Sequence, residues 1–281
     1  MNARVSLLTA IVMLGLFVPQ ALAITGGEVD KSNTYSNVGA LVGVPPDGSP
    51  PFVAFSGTLI HPRVLLTAGH SAEFLVQNPW AIPLSRVSFG TDAFDPNTWH
   101  EVEAAITHPD YQSNPMWNNP HANDVGVVIL KKPVNTRKVP LATLPYKGFL
   151  DDLKAAGLLR EPGQGGTRFT VAGYGTTFDW PPPTDIPADG LRRFAQTEYL
   201  DLTQSWLFTL MNPATGNGGT GYGDSGGPTF WVAPNGTLVL VALTSRGNPE
   251  CMATNIAWRV DIPETLDFID WVIKEVKEGR L

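Results

Sequence analysis

The sequence predicts an all-β protein built as two joined domains and closed by one C-terminal helix. Three observations carry this: short apolar runs recur along the chain between turn residues, Gly and Pro are abundant (28 and 25), and helical spacing is convincing only near the C-terminus. The runs are Val38–Val44, Val53–Ile60, Val64–Thr67, Val87–Gly90, Val102–Thr107, Val125–Leu130, Phe169–Ala172, Thr229–Val232, Leu238–Ser245 and Ile256–Val260. They are rich in Val, Ile, Phe and Thr, the side chains that suit a half-buried pleated surface. Between them, Pro45-Pro46-Asp47-Gly48, Asp95-Pro96-Asn97 and Pro181-Pro182-Pro183 cannot continue a ladder and mark loops. After Asp261 and Pro263, Leu266, Ile269, Ile273 and Val276 share one face, with Lys274 and Lys277 late, where the helix dipole favours cations. A weaker helical stretch, Phe149 to Leu159, lies in a break near Pro145–Pro162. That break divides residues 24–145 from 146–281.

The first 23 residues differ from the rest. Arg4 is their only charge, Leu7–Val18 is almost wholly apolar, and Ala21-Leu22-Ala23 ends the stretch, which predicts a secretory signal peptide. Its apolar core is about 12 residues, against roughly 20 for a bilayer span. The expected product is secreted or periplasmic, with no stable membrane association once the signal is removed. A net charge of −7 argues against nucleic acid and anionic lipid as partners. Cys251 is the single cysteine, so no intramolecular disulfide can form, and its expected role is that of a small buried apolar side chain. Neither a cysteine pair nor a His-x-x-x-His spacing suggests a metal site.

Chemistry concentrates around Ser225, in Gly221-Tyr222-Gly223-Asp224-Ser225-Gly226-Gly227-Pro228. Flanking glycines let backbone adopt unusual φ values and approach a substrate closely. Gly223–Gly227 also fits the Gly-x-Ser-x-Gly elbow of α/β-hydrolases. Such an enzyme needs a histidine after its serine, and His61, His70, His100, His108 and His121 all precede Ser225. A secreted esterase on that fold is therefore disfavoured.

The chain instead resembles the chymotrypsin/trypsin-like serine protease family. Four segments match in order: Ile24-Thr25-Gly26-Gly27, Leu66-Thr67-Ala68-Gly69-His70, Asn123-Asp124-Val125-Gly126-Val127-Val128-Ile129-Leu130, and Gly223–Pro228. Weaker matches are His108-Pro109-Asp110-Tyr111, Gly173-Tyr174-Gly175-Thr176 and Phe268-Ile269-Asp270-Trp271. The resemblance implies two antiparallel Greek-key β-barrels with an active site between them. The N-terminal barrel (24–145) would carry His70 and Asp124, and the C-terminal one (146–281) Ser225. It implies a serine endopeptidase acting on protein or peptide substrates without a cofactor. His70 would be general base and acid, Asp124 its orienting carboxylate, and the N–H groups of Gly223 and Ser225 the oxyanion hole. Asp224 would pair with an α-amine at Ile24, which removal of the signal would create directly.

The chain also departs from the family. Its disulfides are absent, Ser71 stands where a cysteine is usual, and Arg246 replaces a tryptophan of the substrate channel. The pocket floor is Gly219, followed by Thr220, and with Ser245, Gly247 and Asn255 this implies a pocket for uncharged side chains. A catalytically silent binding module is the competing reading, which retention of all three triad residues opposes.

Overall fold

Alternating side chains on an extended chain can bury one face, and antiparallel runs joined by short turns can close that face on itself. In the computed structural model, which describes residues 24–281 apart from 114–118, 164, 180–183 and 187, the runs form two such closed barrels. The expected signal segment and Pro181-Pro182-Pro183 lie outside the described residues.

A two-residue strand comes first, β1 (Glu28–Val29). The first barrel comprises β2 (Val38–Gly43), β3 (Phe52–His61), β4 (Val64–Thr67), β5 (Ser85–Ser88), β6 (Trp99–Thr107) and β7 (Gly126–Leu130), ordered β2-β3-β4-β7-β6-β5 around the ring. Helix α1 (Gly69–Gln77) follows β4. A second helix, α2 (Phe149–Ala155), precedes the other barrel. That barrel is built from β8 (Arg168–Gly173), β11 (Arg193–Leu202), β12 (Trp206–Leu210), β13 (Pro228–Val232), β14 (Leu238–Gly247) and β15 (Thr254–Arg259), closed through pairings of β8 with both β11 and β13. The hairpin β9 (Thr177–Asp179) and β10 (Thr184–Ile186) stands apart from it, and α3 (Pro263–Lys277) ends the fold.

Every predicted run is a strand, displaced by a few residues at most. The sequence reading passed over β11, β12 and α1. Strand β11 is long but alternates between buried and partly exposed residues over its first eight positions, so it shows no continuous apolar run. Helix α1 is only nine residues long, too short to establish its period. The structure also places β1 on β11, through Glu28↔Phe194 and Val29↔Arg193. Residues 24–29 thus belong spatially with the second barrel, although they precede the first in sequence.

The barrels are joined by an apolar seam and a polar clamp. The seam runs from Val38, Val64 and Val127 to Phe230, Leu243 and Trp258, with α3 packed on it. The clamp centres on Arg192, fully buried, whose Nε is 2.9 Å from Asp30 Oδ2. Its Nη1 donates to the carbonyls of Val38 (3.2 Å) and Phe89 (3.1 Å) and to the Tyr174 hydroxyl (2.9 Å), and its Nη2 donates to Asn33. The Tyr174 hydroxyl in turn donates to Gly90 O at 2.6 Å. Val38, Phe89 and Gly90 lie in the first barrel region, and Tyr174 and Arg192 in the second.

Removing one partner of a buried ion pair leaves an uncompensated charge, so Asp30→Ala should destabilise the fold by about 3–5 kcal/mol. The double variant Asp30→Leu/Arg192→Met should recover much of that loss. Urea unfolding of both variants checks this, and a single variant as stable as wild type would remove the clamp from the account.

Candidate active site

Register alone brings the first two groups together. Strands β4 and β7 are antiparallel, with Leu66↔Val127 and Thr67↔Gly126. His70 lies three residues past the end of β4, and Asp124 two residues before β7. Both Asp124 carboxylate oxygens are 3.1 Å from His70 Nδ1, and Oδ1 also accepts the His70 backbone N–H at 2.9 Å. Ser245, near the end of β14, donates its hydroxyl to Oδ2 at 2.5 Å. The turn that presents Asp124 is tight: Asn123 has φ +47°, in the left-handed region that asparagine tolerates better than most residues.

The electrostatics of the pair favour two charges. Burial alone would push Asp124 upward, but the His70 charge and the hydrogen bonds from His70 and Ser245 outweigh it and hold the carboxyl below its usual range. Burial would likewise push His70 down, and the Asp124 charge and hydrogen bond outweigh it and raise the imidazole, with Arg246 opposing. An ionised carboxylate at Nδ1 keeps the ring proton on that nitrogen. The Nε2 lone pair of the neutral ring is then available to a donor on the other side.

Ser225 sits on a turn pinned from both barrels. Its carbonyl accepts from Ser56 N (3.0 Å), and the Ser56 hydroxyl donates to Gly223 O (3.0 Å). Gly226, at φ +75°, lies against the strand end that leads to His70: a Cβ there would fall 1.9 Å from Thr67 Oγ1 and 2.5 Å from Ala68 N. No residue but glycine fits, and this contact sets the serine turn beside the histidine loop. The two amides flanking Asp224 are oriented by their own carbonyls. Tyr222 O accepts from Thr176 N (2.6 Å) and Asp224 O from Gly227 N (2.8 Å). In a trans peptide the following N–H points the opposite way, so the Gly223 N–H points away from Thr176 and the Ser225 N–H away from Gly227.

Asp224 is fully buried. Its oxygens accept from Gly175 N and Gly221 N, both at 2.8 Å, and burial still drives its pKa up to about 7. Ile24 is buried too, packed on Val171 and Ala195, while Gly219 N donates to Thr25 O at 2.9 Å. A Cβ on Gly173 would meet Asp224 Oδ1. Because Val171 and Gly173 share a face of β8, Ile24 and Asp224 occupy neighbouring places on it, roughly 7 Å along the strand.

A cavity of about 200 Å³ opens beside Ser225, lined among others by Thr220, Tyr222, Ser245, Arg246, Gly247 and Cys251. Of the pocket residues read from the sequence, Thr220, Ser245 and Gly247 line it. Asn255 lies behind the wall, fully buried, and accepts the Thr220 hydroxyl at 3.0 Å. Gly219 is also set back, against Met211, whose Sδ would lie 2.2 Å from a Cβ at that position. Met211 was not foreseen because it directly follows the unpredicted β12. Tyr222 was passed over as a wall residue because loop geometry decides its orientation. The Arg246 guanidinium stands over the Trp206 ring at 5.3 Å. None of the lining residues carries a carboxylate.

Among known families, the chain matches the one described as Trypsin over residues 48–272. A comparison with curated proteins found no match.

Because Asp124 raises the imidazole, Asp124→Asn should lower the His70 pKa, and Arg246→Gln should raise it. NMR titration of the ring checks both directions. The sign also fixes a stability window: the pair's contribution is complete below the unfolded value near 6.5 and is lost as pH rises through the raised one. A His70 pKa unchanged in Asp124→Asn would contradict the coupling.

Proposed function

Because this chain belongs to the trypsin family, with its two β-barrels and C-terminal helix, we propose that it is a secreted serine endopeptidase whose triad is His70, Asp124 and Ser225. The observation that carries this reading is the His70–Asp124 pair, fixed by Ser245 and set beside a glycine-rich serine turn. Ser225 Oγ attacks the scissile carbonyl as His70 Nε2 takes its proton, and His70 then delivers that proton to the leaving amine. Asp124 holds the tautomer and balances the imidazolium. The Gly223 and Ser225 N–H groups stabilise the charge that develops on the carbonyl oxygen.

The residue before the cleaved bond enters the cavity beside Ser225. Its hydroxyls, glycines and Cys251 suit uncharged side chains, and a buried cation there would find no carboxylate and would share the cavity with Arg246. Secretion rests on the signal-like residues 1–23. The pairing of an Ile24 α-amine with Asp224 is supported by the burial of both on one face of β8.

Ser225→Ala and His70→Ala should each abolish turnover of peptide substrates, and the double variant should be little worse, because one proton-transfer unit is removed in every case. In the same assay, peptides with Arg or Lys before the cleaved bond should be cleaved more slowly than uncharged ones. Turnover in either single variant above roughly a thousandth of wild type would refute the triad.

The second test concerns Asp224. In a chain extended beyond Ile24 no α-amine can form at that residue, and the raised carboxyl pKa means the folded state holds a proton the unfolded state releases. Stability should therefore fall as pH rises from about 4 through about 7. A form beginning at Ile24 should lose that decline and be the more active of the two. N-terminal sequencing of the secreted protein, with activity and unfolding measured against a methionine-extended form, decides it. Equal activity and equal pH profiles would exclude the pairing.

A further inference from the structure

On the first barrel an apolar groove of about 210 Å³ lies between β3, α1 and the turn at 79–84, lined by Phe52, Ala54, Phe74, Trp80, Leu84 and Leu41 among others. Three of these are large aromatics left open to water, at 55% (Phe52), 49% (Phe74) and 65% (Trp80) relative exposure. Scattered exposed aromatics are ordinary, but three converging on one depression mark a binding surface. The Phe52 ring lies across Gly43, where a Cβ would come within 2.4 Å of it, so the wall is ordered against β2.

Two elements link the groove to the candidate active site. Phe74 lies four residues after His70 on α1, one turn along the same helical face. Val53, between Phe52 and Ala54, points to the other side of β3, where its Cγ1 would be 3.8 Å from a Cβ on Gly223. The direction of a substrate chain follows from the proposed chemistry, on which this inference rests. The side chain before the cleaved bond enters the cavity walled by residues 244–251. The leaving nitrogen must face His70, so the residues after the bond depart over α1 and β3. We propose that the groove formed by Phe52, Phe74 and Trp80 is a specificity site for an apolar side chain of the substrate polypeptide, two or three residues after the cleaved bond. Its apolar lining excludes a charged occupant, and its place on the leaving-group side identifies the occupant as substrate.

The experiment compares wild type with Phe74→Ser and, as a variant away from the histidine helix, Phe52→Ser. Internally quenched peptides identical up to the cleaved bond carry Leu, Phe or Ser two or three residues beyond it, and a chromogenic anilide carries nothing beyond it. Both variants should lose about tenfold in kcat/KM on the Leu and Phe peptides and keep wild-type rates on the Ser peptide and the anilide. Equal rates across the peptides in wild type, or an equal loss on every substrate, would overturn the proposal. Binding of the same peptides, fluorescein-labelled, to the Ser225→Ala protein is measured by anisotropy. If wild type cleaves nothing, the peptidase reading fails, and weaker binding of apolar peptides in Phe74→Ser/Ser225→Ala still sustains the groove while equal binding overturns it. Concentration-dependent sedimentation of wild type that Phe74→Ser abolishes would assign the groove to a second copy and overturn it as well.

Discussion

Arg192 is fully buried between two barrels that carry different parts of one site. His70 and Asp124 come from the first barrel and Ser225 from the second, so an error in barrel placement moves the serine relative to the histidine. The chain has no disulfide to limit such error. A guanidinium suits the task because its rigid fork can meet a carboxylate, two carbonyls and a hydroxyl at once. Backbone bonds reinforce it, with Arg192 N donating to Thr91 O and Ala93 N to Gly190 O. Hydrophobic packing along the seam supplies much of the adhesion, but packing is non-directional. The clamp supplies orientation.

Three buried aspartates show how one side chain is put to different uses by its partners. Asp30 faces a guanidinium and also accepts two backbone N–H groups, from Thr34 and Tyr35. Asp124 faces an imidazole and a hydroxyl, which keep it ionised despite burial. Asp224 accepts mainly from backbone amides, and these do not fully offset desolvation, so its pKa is driven up to about 7. A carboxyl so balanced responds to any cation brought near it. That is why the neighbouring burial of Ile24 matters to the proposed activation.

Much of this was legible in the sequence because the candidate catalytic residues sit at strand ends, and strand ends are marked. Thr67-Ala68-Gly69-His70 closes an apolar run and Asp124 opens one, so recognising the two strands nearly places the pair. Ser225 was marked by its glycines. What escaped was whatever depends on distant segments meeting. Met211 backs the pocket only because β12 lies beside β15, and the Phe52–Phe74–Trp80 groove joins a strand, a helix and a turn. Ser245 was read as a pocket residue, yet its hydroxyl also holds Asp124 from the opposite barrel. Nothing in its local sequence carries that contact.

The pairing of β1 with β11 has a consequence for how the chain is assembled. Residues 24–29 leave the ribosome early, but Glu28 pairs with Phe194, which is made only after the whole first barrel. During synthesis these residues wait without their partner while the strands of Val38–Leu130 close locally. The return of such a distant segment costs loop entropy before any contact rewards it. Docking of this segment on the second barrel is therefore a late, long-range event, in which an early part of the chain waits for a strand made much later.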